Sequence, residues 1–270
     1  MEIKPVIVVD DNGHGRIGLE GAAASRREGE SRQKKYKALH DDKNIDFLHL
    51  RSMNTESLSL QVSPSIGAVT AEYVVPAKPR HIMTLAHGAG AGMHHAFMVT
   101  LAASLAEAGV ATLRFNFPFT EHKKGRPDTP AVAHATIAAA ITHARESFPS
   151  LPLFAAGKSF GGRMTSQYLA VTKDVKVKGI VFYGFPLHPA GKPSIERAEH
   201  LHDVKAPMLF LQGTKDDLAT WDLIESVCSS LPKATLVKIE GANHMFKAGK
   251  RDVMAELVKA TVDWVTAKGK

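Results

Sequence analysis

From Ser57 onward, apolar runs of strand length alternate with longer amphipathic stretches of helical period, and that alternation leaves few architectures open. Strands are expected near 57–62, 67–75, 81–86, 111–115, 152–156, 178–184, 207–212 and 235–239, about eight in all. From the third strand onward, helical patterns intervene at 95–108, 131–146, 161–171, 221–231 and 251–267. Two strands that run parallel need a crossover between them, and a helix supplies it. The pattern therefore predicts a mostly parallel sheet with helices on both faces. The first two strands have no helix between them, which predicts an antiparallel hairpin at one edge.

Residues 1–52 read differently. Gly13, Gly15, Gly18 and Gly21 lead into Arg26, Arg27, Glu28, Glu30 and Arg32 with little apolar periodicity, so a mobile, basic and polar extension is expected ahead of one domain at 53–270. Met53 stands just before the first expected strand, and the domain, or the natural product itself in an alternative reading, is expected to begin there. A hydrophobic fraction of 44% is that of an ordinary globular core. The longest apolar runs are strand-sized, far short of the roughly 20 residues of a membrane helix, so no membrane association is expected. Val6-Ile7-Val8-Val9 is closed at once by Asp10-Asp11 and is too short for a signal-peptide core. Cys228 is the only cysteine, which rules out an intrachain disulfide and favours a reducing compartment, the cytoplasm. It shares a helical face with Leu223, Ile224, Val227 and Leu231, as a core residue would. The net charge of +7 is spread among interspersed acids and accompanies no nucleic-acid module, so no nucleic-acid partner is expected.

In open α/β sheets ligands bind outside the carboxyl ends of the strands, so the residues just after each strand carry the functional information. After the fifth expected strand the chain reads Gly157-Lys158-Ser159-Phe160-Gly161, a G-x-S-x-G pattern. A serine projected from a sharp strand-to-helix turn needs small residues two positions either side. A serine hydroxyl is a weak nucleophile at neutral pH and needs a base, oriented by an acid. Asp216, after Gln212-Gly213-Thr214-Lys215, and His244, after Gly241-Ala242-Asn243, stand at later strand ends in the chain order Ser, Asp, His. Asp217 is the rival acid, and Asp216 has a second reading as a cap of the helix near Thr220. Of the other histidines, His134 and His143 fall within a helix, His200 and His202 in a polar connection, and His87 and His188 before the acid. His87 is expected to shape the glycine loop that follows it.

Acyl transfer also needs donors aimed at the developing oxyanion. The amide of Phe160, after the serine, is one candidate, and that of Ala89 in His87-Gly88-Ala89-Gly90 is the other. A phosphate-binding loop is excluded because it would need glycine at 152, where the chain has proline. A dinucleotide loop begun at Gly88 would need glycine at 93, where the chain has methionine. His94-His95 and His200/His202 lack companion metal ligands. Arg114, Lys158, Arg163 and Lys192 stand near the same rim, either to hold an anionic substrate group or to brace loops by salt bridges.

Taken together, Leu85-Ala86-His87-Gly88-Ala89-Gly90-Ala91-Gly92-Met93, Leu113-Arg114-Phe115-Asn116-Phe117-Pro118-Phe119 and Gly157-Lys158-Ser159-Phe160-Gly161-Gly162-Arg163, with Pro186-Leu187-His188-Pro189, Gln212-Gly213-Thr214-Lys215-Asp216 and Asn243-His244, carry a resemblance. Over about residues 57–268 the chain resembles the α/β-hydrolase superfamily in its dienelactone-hydrolase-like branch. Within it, the chain looks like the small hydrolase-like group that includes a domain of an NSL histone acetyltransferase complex subunit. The resemblance implies a serine hydrolase with Ser159, Asp216 and His244 as its triad, acting on an ester or thioester of a small acyl substrate without cofactor or metal. Dienelactone hydrolases proper use a cysteine nucleophile, so their particular substrate does not carry over to this serine. The alternative is a non-catalytic binding or scaffolding protein on the same fold. Only residues 185–206 separate the sixth and seventh strands, too few for a large cap, so an open pocket is expected.

Overall fold

The computed structural model describes residues 7–9, 15–17 and 53–269. The chain divides into two units, Met1–Arg51 and Ser52–Lys270. In the first, strands β1 (Ile7–Val9) and β2 (Gly15–Ile17) pair antiparallel, which the glycine-rich sequence did not suggest. The expectation of mobility for the rest of 1–52 lies outside the described residues.

The second unit is one eight-stranded sheet in the order β10-β9-β8-β7-β5-β6-β4-β3. β3 (Met53–Ser63) and β4 (Gly67–Pro76) form the antiparallel hairpin at one edge, and β4 runs antiparallel to β6 (Val110–Phe115). The remaining pairings, among β5 (His81–Ala86), β6, β7 (Leu153–Lys158), β8 (Ile180–Tyr183), β9 (Met208–Gly213) and β10 (Ala234–Ile239), are parallel. The chain is an α/β-hydrolase fold with no large cap: between β8 and β9 it carries a 3-10 helix, Glu196–Asp203.

Among the described residues, six helices accompany the sheet: α1 (Ala96–Glu107), the short α2 (Pro118–Glu121), α3 (Pro130–Ser147), α4 (Phe160–Val171), α5 (Trp221–Ser230) and α6 (Val253–Lys268). The expected helices agree within two residues at each end; α2 and the 3-10 helix are the additions, both too short for periodicity to reveal. His95 caps α1 by accepting the Phe97 amide at its Nδ1, and Asp252 caps α6 by accepting that of Met254.

The two-residue period of the strands sorts the core onto two faces. In β9, Leu209 and Leu211 pack with Met98, Leu101 and Leu105 of α1 and Leu257 and Val265 of α6. Met208 and Phe210 face the other way, with Ile224, Val227 and Cys228 of α5. Each such Leu or Phe contributes about 1.5–3 kcal/mol on burial. A polar residue therefore enters these strands only at a cost, and those at their carboxyl ends stand out. β6 and β7 lie on opposite sides of β5, so the chain reverses its direction of winding there. The crevice beyond the ends of β5 and β7 is where such a sheet opens to a ligand.

Candidate active site

Ser159 sits at that crevice, between β7 and the first residue of α4, with φ 49° and ψ −115°. A non-glycine residue at positive φ is uncommon, and the tightness of the turn explains it. A Cβ on Gly161 would stand 2.5 Å from the carbonyl oxygens of Ala86 and His87, and one on Gly157 would collide with the Gly162 amide. The two glycines let α4 press against β7 and β5, and the serine between them projects into the crevice.

His244 reaches the serine from the loop after β10: its Nε2 lies 2.8 Å from Ser159 Oγ. Its Nδ1 lies 2.8 Å from Oδ2 of Asp216, which follows β9. Asp216 is buried, 3% exposed, and its other oxygen accepts the Leu218 amide at 2.8 Å. Asp217 is exposed. With a carboxylate facing Nδ1, that nitrogen carries the proton and Nε2 offers its lone pair to the serine hydroxyl.

Gln212, the last side chain before Gly213 in β9, was not among the residues expected here. It is fully buried; its Nε2 donates to Asp216 Oδ2 at 2.6 Å and its Oε1 accepts the Phe185 amide at 2.8 Å. A glutamine closing the apolar run Met208-Leu209-Phe210-Leu211 was the available signal, since a buried carboxamide must have partners.

The loop after β5 forms the opposite wall. His87 is fully buried, and its Nε2 accepts the Phe117 amide at 3.0 Å. A main-chain amide can only donate, so Nδ1 holds the proton and gives it to the Gly88 carbonyl at 2.7 Å. Burial pulls the His87 imidazole down to about 4, which keeps it neutral in this role. Gly88 lies against the elbow, where an added Cβ would meet Ser159 Cβ at 3.7 Å. Among the described residues, the amides of Ala89 and Phe160 donate no main-chain hydrogen bond. Farther along, Met93 is gripped at both ends, its amide donating to Asn116 Oδ1 and its carbonyl accepting Arg114 Nη1, each at 3.0 Å.

Two of the cations expected near the rim are committed inside the protein. Arg114 is 1% exposed and forms an ion pair with Glu72. Lys158 is 6% exposed and donates from Nζ to the His244 carbonyl at 2.7 Å. Neither faces outward to hold an anionic substrate group: Arg114 pairs across the sheet with Glu72 of β4 and bonds the Met93 carbonyl, and Lys158 turns to the loop after β10. Burial brings the Lys158 ammonium down to about 8, with the charge of Asp216 opposing the shift. Cys228 is a core thiol, pushed up to about 12 by burial.

The family model described as an alpha/beta hydrolase domain matches residues 79–265. A Mycobacterium tuberculosis protein provisionally named a phosphoribosyl transferase is 28% identical over 210 residues, 76% of this chain and 45% of that protein. The chain thus spans less than half the length of that relative. Among solved structures, a dienelactone hydrolase from Anabaena variabilis superposes with a TM-score of 0.68 at 20% identity, covering 81% of this chain and all of the other. A lidless serine hydrolase from Xanthomonas campestris gives 0.64 at 22% identity, covering 79% and 94%. At these identities the likeness is one of fold.

Proposed function

The chain belongs to the alpha/beta hydrolase family, and from that premise we propose that it is a serine hydrolase that cleaves an ester or thioester of a small acyl substrate through an acyl-enzyme. The observation that carries the reading is the continuous chain from Ser159 Oγ through His244 to Asp216, two hydrogen bonds of 2.8 Å each, starting at a serine held in the strained turn.

Ser159 Oγ attacks the acyl carbonyl while His244 Nε2 takes the hydroxyl proton. Asp216 keeps the imidazole in the required tautomer and stabilises the imidazolium. The carbonyl oxygen becomes an oxyanion held by the amides of Phe160 and Ala89. Collapse of the tetrahedral intermediate passes the proton from Nε2 to the leaving alcohol or thiol. Water, activated by the same imidazole, then releases the acid and restores Ser159. The groups used are the chain's own, and a small-molecule acyl compound is the partner. The single cysteine, buried as a free thiol, fits a reducing cytoplasm.

The name of the Mycobacterium tuberculosis relative does not supply a better reading. It belongs to a protein more than twice the matched length, and a hydroxyl bonded to an imidazole is equipped to attack a carbonyl. Labelling by a fluorophosphonate probe tests the proposal. Wild type is expected to label and Ser159→Ala and His244→Ala to resist, with hydrolysis of short-chain esters or thioesters following the same order. A folded wild type that neither labels nor hydrolyses would favour a non-catalytic binding role for the fold.

A further inference from the structure

Lys158 ends β7 one residue before the nucleophile, with its charge out of contact with bulk water. Burying an ammonium costs several kcal/mol unless partners compensate, and a methionine of similar length would sit there at no such cost. The partners show what the charge does. Nζ donates to the carbonyl oxygen of His244 at 2.7 Å and stands 5.3 Å from the centre of the Phe246 ring. Two points of the turn that carries the imidazole, one on each side of Met245, thus rest on one ammonium.

That turn needs an anchor. Phe246 has φ 58°, a conformation rare for a bulky side chain and one that persists only where neighbours over-determine it. Its ring also stacks on Phe97 at 5.7 Å, and Asn243 Oδ1 accepts the amides of Met245 and Lys247 from within the turn. None of those contacts ties the turn to the serine. Lys158 does, because its main chain continues directly into Ser159.

We infer that Lys158 is a positioning residue, anchoring the His244 turn to the nucleophile's own strand so that imidazole and hydroxyl are held in register. The inference deepens the acyl-transfer reading and rests on it. The titratable groups that face the ammonium are Asp216, from the loop after β9, and His244, from the loop after β10. The loops after β5 and β8 present Gly88 and Gly184, which carry no charge. The bond to the His244 carbonyl is charge-assisted while the ammonium is protonated and weakens as pH rises through about 8.

The test compares wild type with Lys158→Met in the full chain, by two readouts. One is the rate of fluorophosphonate labelling. The other, independent of reaction, is the downfield proton resonance of the His244 Nδ1–H bonded to Asp216, assigned by its loss in His244→Gln. Lys158→Met is expected to fold with a melting temperature no lower than wild type, to lose or broaden that resonance, and to label about tenfold more slowly or worse. Wild-type labelling is expected to fall as pH rises through about 8, and Lys158→Met to show no such fall. A variant with the resonance intact and wild-type labelling at every pH overturns the inference. If wild type itself does not label while Lys158→Met alone loses the resonance, the hydrolase reading fails and the anchor stands. If Lys158→Met does not fold, Lys158→Leu takes its place, and a folded Lys158→Leu with the resonance intact and wild-type labelling overturns the inference.

Discussion

Gln212 Nε2 donates to Asp216 Oδ2 at 2.6 Å, and the same oxygen faces His244 Nδ1 at 2.8 Å. The carboxamide thus selects which carboxylate oxygen meets the imidazole, while its Oε1 holds the Phe185 amide. Gln212→Met keeps the side-chain length and removes both bonds. It leaves the buried Phe185 amide unpaired, so urea denaturation should record a loss of about 1–3 kcal/mol. In ester hydrolysis kcat should fall with KM nearly unchanged.

Asp216 and Asp217 are chemically equal neighbours with opposite exposure. Asp216→Asn should lower kcat by about 10⁴, because an amide in place of the carboxylate favours the wrong imidazole tautomer. Asp217→Asn should leave it unchanged within a factor of about two, as for a solvated surface group. Steady-state kinetics on the two variants decides the assignment.

Gly161 and Gly90 make a controlled pair. A Cβ at Gly161 meets two carbonyl oxygens at 2.5 Å, backbone atoms that cannot swing aside, whereas one at Gly90 meets nothing within 4 Å. Gly161→Ala should destabilise by about 1–3 kcal/mol through overpacking. Gly90→Ala should stay within about 0.5 kcal/mol of wild type. Chemical denaturation of both variants checks the difference.

His87 makes stability depend on pH in a defined direction. Its folded value is lowered to about 4 by burial from an ordinary 6.5, so between those values the unfolded chain takes up a proton that the folded chain refuses. Stability is therefore full above 6.5 and declines as pH falls toward 4, by about 3 kcal/mol from this residue. His87→Gln should lower stability at neutral pH but flatten the decline. Urea midpoints at pH 7 and 4.5 would measure it, and equal slopes for both proteins would reject the assignment.

Arg114 and Glu72 are buried together, and Arg114 bonds the Met93 carbonyl in the loop that carries Ala89. Arg114→Met strands the Glu72 carboxylate and releases the Met93 carbonyl, and should cost about 3–5 kcal/mol. Adding Glu72→Met should recover most of that loss, which a double-mutant cycle would register.

What could be read without coordinates was whatever local pattern dictates. The strands and long helices follow from apolar period, which backbone geometry imposes on any chain that buries one face. The Ser159 turn was legible because its constraint is local: two glycines within two residues of a serine, directly after a strand. The paired strands β1 and β2, by contrast, are three residues each, too short for a period to register.

Lys158, Gln212 and Arg114 separate the two levels of information. In sequence each is a polar residue near a strand end, equally able to face solvent or the interior. Lys158 was thereby open to reading as a rim cation, yet its ammonium rests on a carbonyl 86 residues away in the chain. The sequence by itself determined the order of the long elements, the mostly parallel sheet and the turn at Ser159, because these depend on neighbours along the chain, while the α/β-hydrolase architecture followed from the resemblance its motifs carry. Only the tertiary structure decided that Gln212 bonds Asp216 and that Lys158 turns inward, and it brought Asp216, the acid the sequence favoured, and not Asp217 against His244. Those choices depend on how three loops from different strands close on one another, where a buried charge must find its partners across the sheet.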